Sequence, residues 1–203
     1  MQQEEFHPWK WFVPKKATTL MIGTFPPAKR NWSYDFFYPN KQNLFWNIMA
    51  AVAGIELKHF SGEEAVNERK NILGFLNVAI TDMGNKIIRN NNSSLDENIF
   101  PLEFMDIFKI LDENPQLNKL VFTSSSGPSS AAKWFIQYLK SKNIEHKFPS
   151  GPKPLKSGIH YKERKVDLLI LYSPSRRASN RISFELLFAM YKSAILSDTQ
   201  NLK

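Results

Sequence analysis

The chain has 203 residues, 42% hydrophobic and 13% aromatic: enough apolar side chains for one domain-sized core and too many for a disordered polymer. It contains no cysteine, which excludes disulfides, thiolate zinc sites, iron–sulfur clusters and a cysteine nucleophile. A net charge of +8 suits a polyanionic partner.

The first residues, "MQQEEFHPWKWFVPKK", start acidic and lack the basic-then-apolar order of a secretory signal. The longest apolar runs, such as "VDLLILY", fall far short of a membrane span, so the expected address is cytoplasmic. Residues 1–17 read as an N-terminal extension and 18–203 as a single α/β domain. "TTLMIG" (Thr18 to Gly23) is β-branched and apolar, and "TFPP" stops it, which predicts a buried strand. Residues 30–46, "RNWSYDFFYPNKQNLFW", hold seven aromatics with amides threaded between them, a mixture that neither a plain core nor a plain surface needs. From Asn43 the pattern turns helical through "LFWNIMAAVAG", with Gly54 as the stop. "SGEEAVNERKNILGF" opens a second helix at Ser61 with acids in its first turn.

"LNVAITD" (Leu76 to Asp82) predicts the next strand. "NKIIRNNNSSLDENI" reads as a polar loop, with Ser94 or Asp96 capping the next element. "PLEFMDIFKILDENP" (Pro101 to Pro115) reads as an amphipathic helix bracketed by prolines. "NKLVFTSSSGPSSAAKWFIQYLKSKN" repeats strand, small-residue loop and helix. A basic insertion at about 147–165 comes after it, as an excursion or hairpin, in which six basic residues, Lys153 and Lys156 among them, face one acid, Glu163. "VDLLILYSPSRRAS" is a strand running into a Ser-Pro-Ser-Arg-Arg loop, and "ISFELLFAMYKSAIL" is an apolar helix that packs on the sheet.

Alternating strands and helices predict a three-layer α/β/α sandwich with a central, mainly parallel four-stranded sheet. In such sheets ligands sit beyond the C-terminal strand ends. Those ends carry Gly23-Thr24-Phe25-Pro26-Pro27, Thr81-Asp82, Thr123-Ser124-Ser125-Ser126 and Ser173-Pro174-Ser175-Arg176-Arg177. The four histidines have no ligand-pair spacing, so no metal is expected. "SSSGPSS" lacks the glycines and lysine of a P-loop.

"GTFPP" after the first strand, "YPNKQNLFW" soon after it and "YSPSRR" after the last strand together resemble the uracil-DNA glycosylase superfamily. The similarity is greatest to its mismatch-specific and hypoxanthine-DNA glycosylase branches; "AITDMGN" and the later "SSLDENI" also look like the hypoxanthine type. The resemblance spans about Thr18 to Phe188 and implies a cofactor-free, monomeric, monofunctional DNA glycosylase. Such an enzyme excises a deaminated base, uracil, hypoxanthine or xanthine, flipped from DNA in base-excision repair.

By that resemblance Asn43 is the leading catalytic candidate; read from the residues alone it caps the following helix. Asp82 either orients water or caps the next turn. Gly23, Thr24, Phe25 and Pro26 line the base, with Thr24 and Phe25 presenting backbone N–H groups, and Phe36 or Tyr38 stacks on it. Phe45 and Trp46 are core anchors. Ser173, Pro174, Ser175, Arg176 and Arg177 approach the DNA backbone, joined by Lys153 and Lys156. Thr24 and Phe25 stand where many relatives place a catalytic Asn or Asp. The alternatives are therefore a catalytically inactive nucleic-acid-binding module of the same fold, or a small nucleotide-binding α/β protein resting on the serine-rich loop.

Overall fold

A computed structural model of the chain describes residues 2–91, 93, 96–176 and 182–196. Its centre is a five-stranded sheet built from β2 (Thr19–Gly23), β3 (Val78–Asp82), β6 (Lys119–Phe122), β7 (Leu155–Tyr161) and β8 (Arg164–Ile170). The spatial order is β3-β2-β6-β8-β7. The first four are parallel, the expected central set, and β7 adds an antiparallel strand at the edge. The basic excursion is therefore largely a hairpin, β7 returning directly into β8.

Successive side chains of a strand point to opposite faces, and the core divides accordingly. Leu20, Ile22, Leu120, Phe122, Leu168 and Ile170 pack on one face beneath α3 (Ile107–Glu113) and α4 (Ala131–Ser141). Met21, Ile80, Val121 and Leu171 pack on the other beneath α1 (Phe45–Ala53), α2 (Gly62–Leu76) and α5 (Phe184–Leu196). Covering both faces is what a parallel sheet with continuous apolar strands requires. Gly54 ends α1 in the left-handed region (φ 67°), its N–H reaching the carbonyls of Ala50 and Ala51. α2 begins directly after Ser61, with Glu63 and Glu64 in its first turn.

Two expectations are corrected. The polar stretch read as a loop contains β4 (Gly84–Asn90), and the Pro101–Pro115 helix is replaced by β5 (Ile99–Phe104) followed by the shorter α3. With β1 (Gln2–Phe6) these strands form a second, antiparallel sheet in the order β1-β4-β5. Only one face of β4 is buried: Ile87 and Arg89 point inward, so the strand carries polar residues on its other face. Pro101 fits because β5 is an edge strand, where a missing N–H costs no ladder bond. Ser94, one of the two expected caps, lies outside the described residues.

Arg89 ties the small sheet to the large one. Its guanidinium is buried and donates to the Glu5 carboxylate at 2.9 and 3.0 Å, to the Ser93 carbonyl at 2.7 Å, and to the Pro26 carbonyl at 2.8 Å. The N-terminal segment then crosses the edge of β3 as an antiparallel bridge, Phe12 N–H to the Ile80 carbonyl at 3.0 Å and the reverse at 2.9 Å. Removing one partner of a buried charge pair costs about 3 kcal/mol or more. Arg89→Ala is thus expected to lower the chemical-denaturation free energy by about that amount, whereas Lys86→Ala, whose partner Glu4 is exposed, changes it by less than about 1 kcal/mol.

Candidate active site at the strand ends

β2 and β3 end in register, Gly23 beside Asp82. The Asp82 carboxylate folds across the end of β2 and lies on the bare α-carbon of Gly23. A β-carbon built there would stand 2.0 Å from Asp82 Oδ1 and 3.0 Å from the Tyr38 hydroxyl. Both oxygens thus gather within 3 Å of one point, and only glycine leaves them the room. The Tyr38 hydroxyl also lies 2.7 Å from Thr123 Oγ1 at the end of β6. Thr123 Oγ1 also lies within donating distance of the Ile22 carbonyl, at 3.2 Å. One residue further along each strand, the Thr24 and Ser124 hydroxyls are 3.1 Å apart, and Ser124 Oγ accepts from Ala131 N–H at the start of α4.

Asp82 is 5% exposed, and its second oxygen has a partner that no sequence pattern indicated. His7 Nε2 lies 3.0 Å from Asp82 Oδ2, and His7 Nδ1 lies 2.7 Å from the Trp9 carbonyl. The imidazole is fully buried, the exposed surface of His7 being backbone. Trp9, Phe25 and Phe37 surround it with ring centroids 5.4–5.7 Å away. His7 and Asp82 are 75 residues apart in a chain without any histidine motif, so nothing in the sequence could have signalled the pair.

The aromatic segment closes over these strand ends, and its rings divide. Phe36 and Phe37 are buried, Phe36 against Phe12, Phe37 and Trp46, which places it in the core rather than beside an open site. Trp46 Nε1 donates to the Phe37 carbonyl at 2.9 Å, and the Tyr34 hydroxyl donates to the Tyr38 carbonyl at 2.7 Å. Burial pushes the Tyr34 phenol up to about 12, against the opposing pull of Arg69. These bonds hold Tyr38 in a left-handed backbone conformation (φ 51°), half-exposed, with one ring face stacked on Phe45 at 3.9 Å and 10°.

Asn43 lies one residue ahead of the α1 N-cap, Leu44, and its Oδ1 accepts from Phe45 N–H at 2.9 Å. Its side chain lines a cavity of about 60 Å³ with Tyr34, Asn40, Trp46, Asn47 and Arg69. Leu44 N–H donates to the Pro174 carbonyl at 2.9 Å, which pins the residue after Asn43 to the loop leaving β8. In that loop Ser173 Oγ accepts from Ser175 N–H at 3.2 Å, Pro174 is buried and Arg176 is exposed. Arg177 lies outside the described residues.

Phe25 and Pro26 are buried within the turn, Phe25 beneath Arg89 and Pro26 through its carbonyl. Lys153 reaches the β8 loop, its ammonium 4.9 Å from the Tyr172 ring centroid, and burial holds its pKa below the ordinary lysine value. Lys156 does not join it. It lies opposite Leu169 and lines a separate cleft of about 660 Å³ with Lys119, Lys165 and α5. Among the described residues no group of three His, Asp or Glu side chains could hold a metal ion, and no helix is long and apolar enough to cross a membrane.

A mainly parallel sheet flanked by helices on both faces, with loops gathered over its C-terminal edge, defines a three-layer α/β/α fold. A solved structure that shares it is the solution NMR structure of a "putative Uracil DNA glycosylase" from Methanosarcina acetivorans, with a TM-score of 0.59. The two chains are 16% identical, over 92% of this one and 94% of the other. No protein-family model and no curated protein matches the chain.

The contact between Asp82 and Gly23 makes a direct prediction. Gly23→Ala forces the carboxylate or Tyr38 aside and is expected to destabilise by about 1–3 kcal/mol in urea unfolding. On an Asp82→Ala background the same change should cost at least about 1 kcal/mol less; additive effects would contradict the contact.

Proposed function

We propose that the protein is a monofunctional DNA glycosylase that hydrolyses the N-glycosidic bond of a deaminated base, uracil, hypoxanthine or xanthine, flipped out of DNA. The observation that carries the reading is the convergence of Gly23, Asp82, Tyr38 and Thr123 with the Pro174 loop at one end of a uracil-DNA glycosylase-like sheet. A flipped nucleotide would place its base over the Gly23–Pro26 turn, beside the ring of Tyr38.

As the C1′–N bond breaks, its electron pair leaves with the base and the sugar gains oxocarbenium character. A water attacks C1′, and Asp82 is the group suited to orient it and take its proton. Asn43 remains equipped to act: a carbonyl oxygen has two lone pairs, so Oδ1 can hold a water while it accepts from Phe45 N–H, and Nδ2 can donate. The cavity beside it, about 60 Å³, has space for a few waters, which fits a water-positioning role. Lys153 and Arg176 serve as phosphate contacts. Lys156, in its separate cleft, is assigned no contact with the flipped nucleotide.

A second reading, DNA binding without catalysis, is favoured by one observation: the turn after β2 carries Thr24 and Phe25, both buried, and no carboxylate or amide. One set of measurements separates the two. Wild-type protein is expected to leave alkali-labile abasic sites in duplexes containing a deaminated base. Asn43→Ala should lower the single-turnover rate constant by about 100-fold or more while binding persists. Lys153→Ala should weaken binding to all duplexes alike and reduce the salt slope by about one. Binding with every glycosidic bond left intact would select the second reading, and no affinity for nucleic acid would overturn both.

A further inference from the structure

We infer that His7 is a positioning residue for Asp82, fixing the carboxylate so that one oxygen is held by the imidazole and the other is presented at the strand ends; the inference rests on the excision reading. Its grounds are geometric. Asp82 Oδ2 meets His7 Nε2 at 3.0 Å, while Oδ1 lies on Gly23 within reach of the point that the Tyr38 hydroxyl also approaches. A carboxylate held at one oxygen has a fixed plane and a fixed direction for the lone pairs of the other. That is what a group orienting a single water needs, because a misplacement of about 1 Å can cost 100-fold in rate.

The imidazole is itself over-determined. Its other nitrogen faces the Trp9 carbonyl at 2.7 Å, the rings of Trp9, Phe25 and Phe37 surround it, and its side chain is wholly buried. His7 N–H donates to the Asn85 carbonyl at 2.8 Å, and the bridge at Phe12 fixes the chain on the other side. The N-terminal segment is thereby locked to both sheets around a single polar side chain aimed at the end of β3. A segment that served only to cover the core would place an apolar residue there, since burying an imidazole and a carboxylate together is seldom better for stability than apolar packing. His7 touches neither substrate nor reacting atoms, so it acts through Asp82.

The test compares His7→Phe, which keeps a ring without a donor, with His7→Gln, whose amide N–H can reach Oδ2. Each is checked by circular dichroism and by its affinity for a duplex containing a deaminated base. His7→Phe is expected to lower the single-turnover excision rate about 10- to 100-fold, the range for partners that orient a reacting group, with little change in Kd. His7→Gln should recover to within about threefold of wild type. Independently of activity, wild-type protein should show an exchange-protected imidazole N–H resonance in proton NMR that moves in Asp82→Asn. Folded His7→Phe with wild-type excision overturns the inference, as does loss of excision in His7→Gln equal to that in His7→Phe. An absent N–H resonance overturns the pair itself. A wild-type protein that shows the resonance and excises no base instead overturns the excision reading, and the positioning role of His7 with it. Should His7→Phe not fold, His7→Gln and the Asp82→Asn resonance decide the matter.

Discussion

The carboxylate of Asp82 resting on the α-carbon of Gly23 is the contact around which the strand ends are organised. It requires β2 and β3 to finish level with each other, which the parallel register provides, and it requires the last residue of β2 to have no side chain. Once that space is shared, the Tyr38 hydroxyl can reach across to Thr123 on β6, and the aromatic segment is drawn down over three strands at once. The stack of Tyr38 on Phe45 then fixes where α1 begins, and the bond from Leu44 to Pro174 carries the arrangement to the loop after β8. A single missing methyl group thus lets the ends of β2, β3 and β6 meet around the Tyr38 hydroxyl.

The four parallel strands of the large sheet were legible in the sequence because their apolar residues pack between helices on both faces. "TLMIG", "VAITD", "KLVF" and "VDLLI" are short apolar runs bounded by turn residues. The second sheet was not, for two physical reasons. β4 exposes one face, so Lys86 and Asn90 make it look like a loop, and its buried arginine hides among the polar residues. β5 contains a proline, and its apolar residues merge with those of α3 into one helical-looking pattern; only the pairing with β4 tells them apart. The site was legible in outline, since loops after parallel strands must converge. Its inner contacts were not: the roles of Gly23, Tyr38 and His7 depend on groups far away along the chain, as His7 depends on Asp82.

The aromatic segment shows how composition can mislead and then inform. Its seven rings serve mainly to build one wall of the core, with Phe36, Phe37, Phe45 and Trp46 buried. The polar edges of two of the rings satisfy backbone carbonyls that a tightly folded loop would otherwise bury unpaired, the Trp46 indole N–H for Phe37 and the Tyr34 hydroxyl for Tyr38. The remainder, the half-buried Tyr38 and the Asn43 side chain beside its cavity, is the part proposed to meet a ligand. The chain's basic character divides in a similar way: Lys153 turns toward the β8 loop, whereas Lys156 and Lys165 line a cleft against α5. A fold shared at 16% identity leaves such loop details to each chain, and function resides in them.

The excision reading meets its sharpest test in a crystal structure of Asp82→Asn protein, slowed in catalysis, bound to a duplex carrying one deaminated base. That base is expected to be extrahelical, over the Gly23–Pro26 turn with a face against Tyr38, and phosphates are expected beside Ser173–Arg176 and Lys153. A duplex bound with every base stacked, or bound instead along the cleft between α5 and the β7–β8 hairpin, would contradict it.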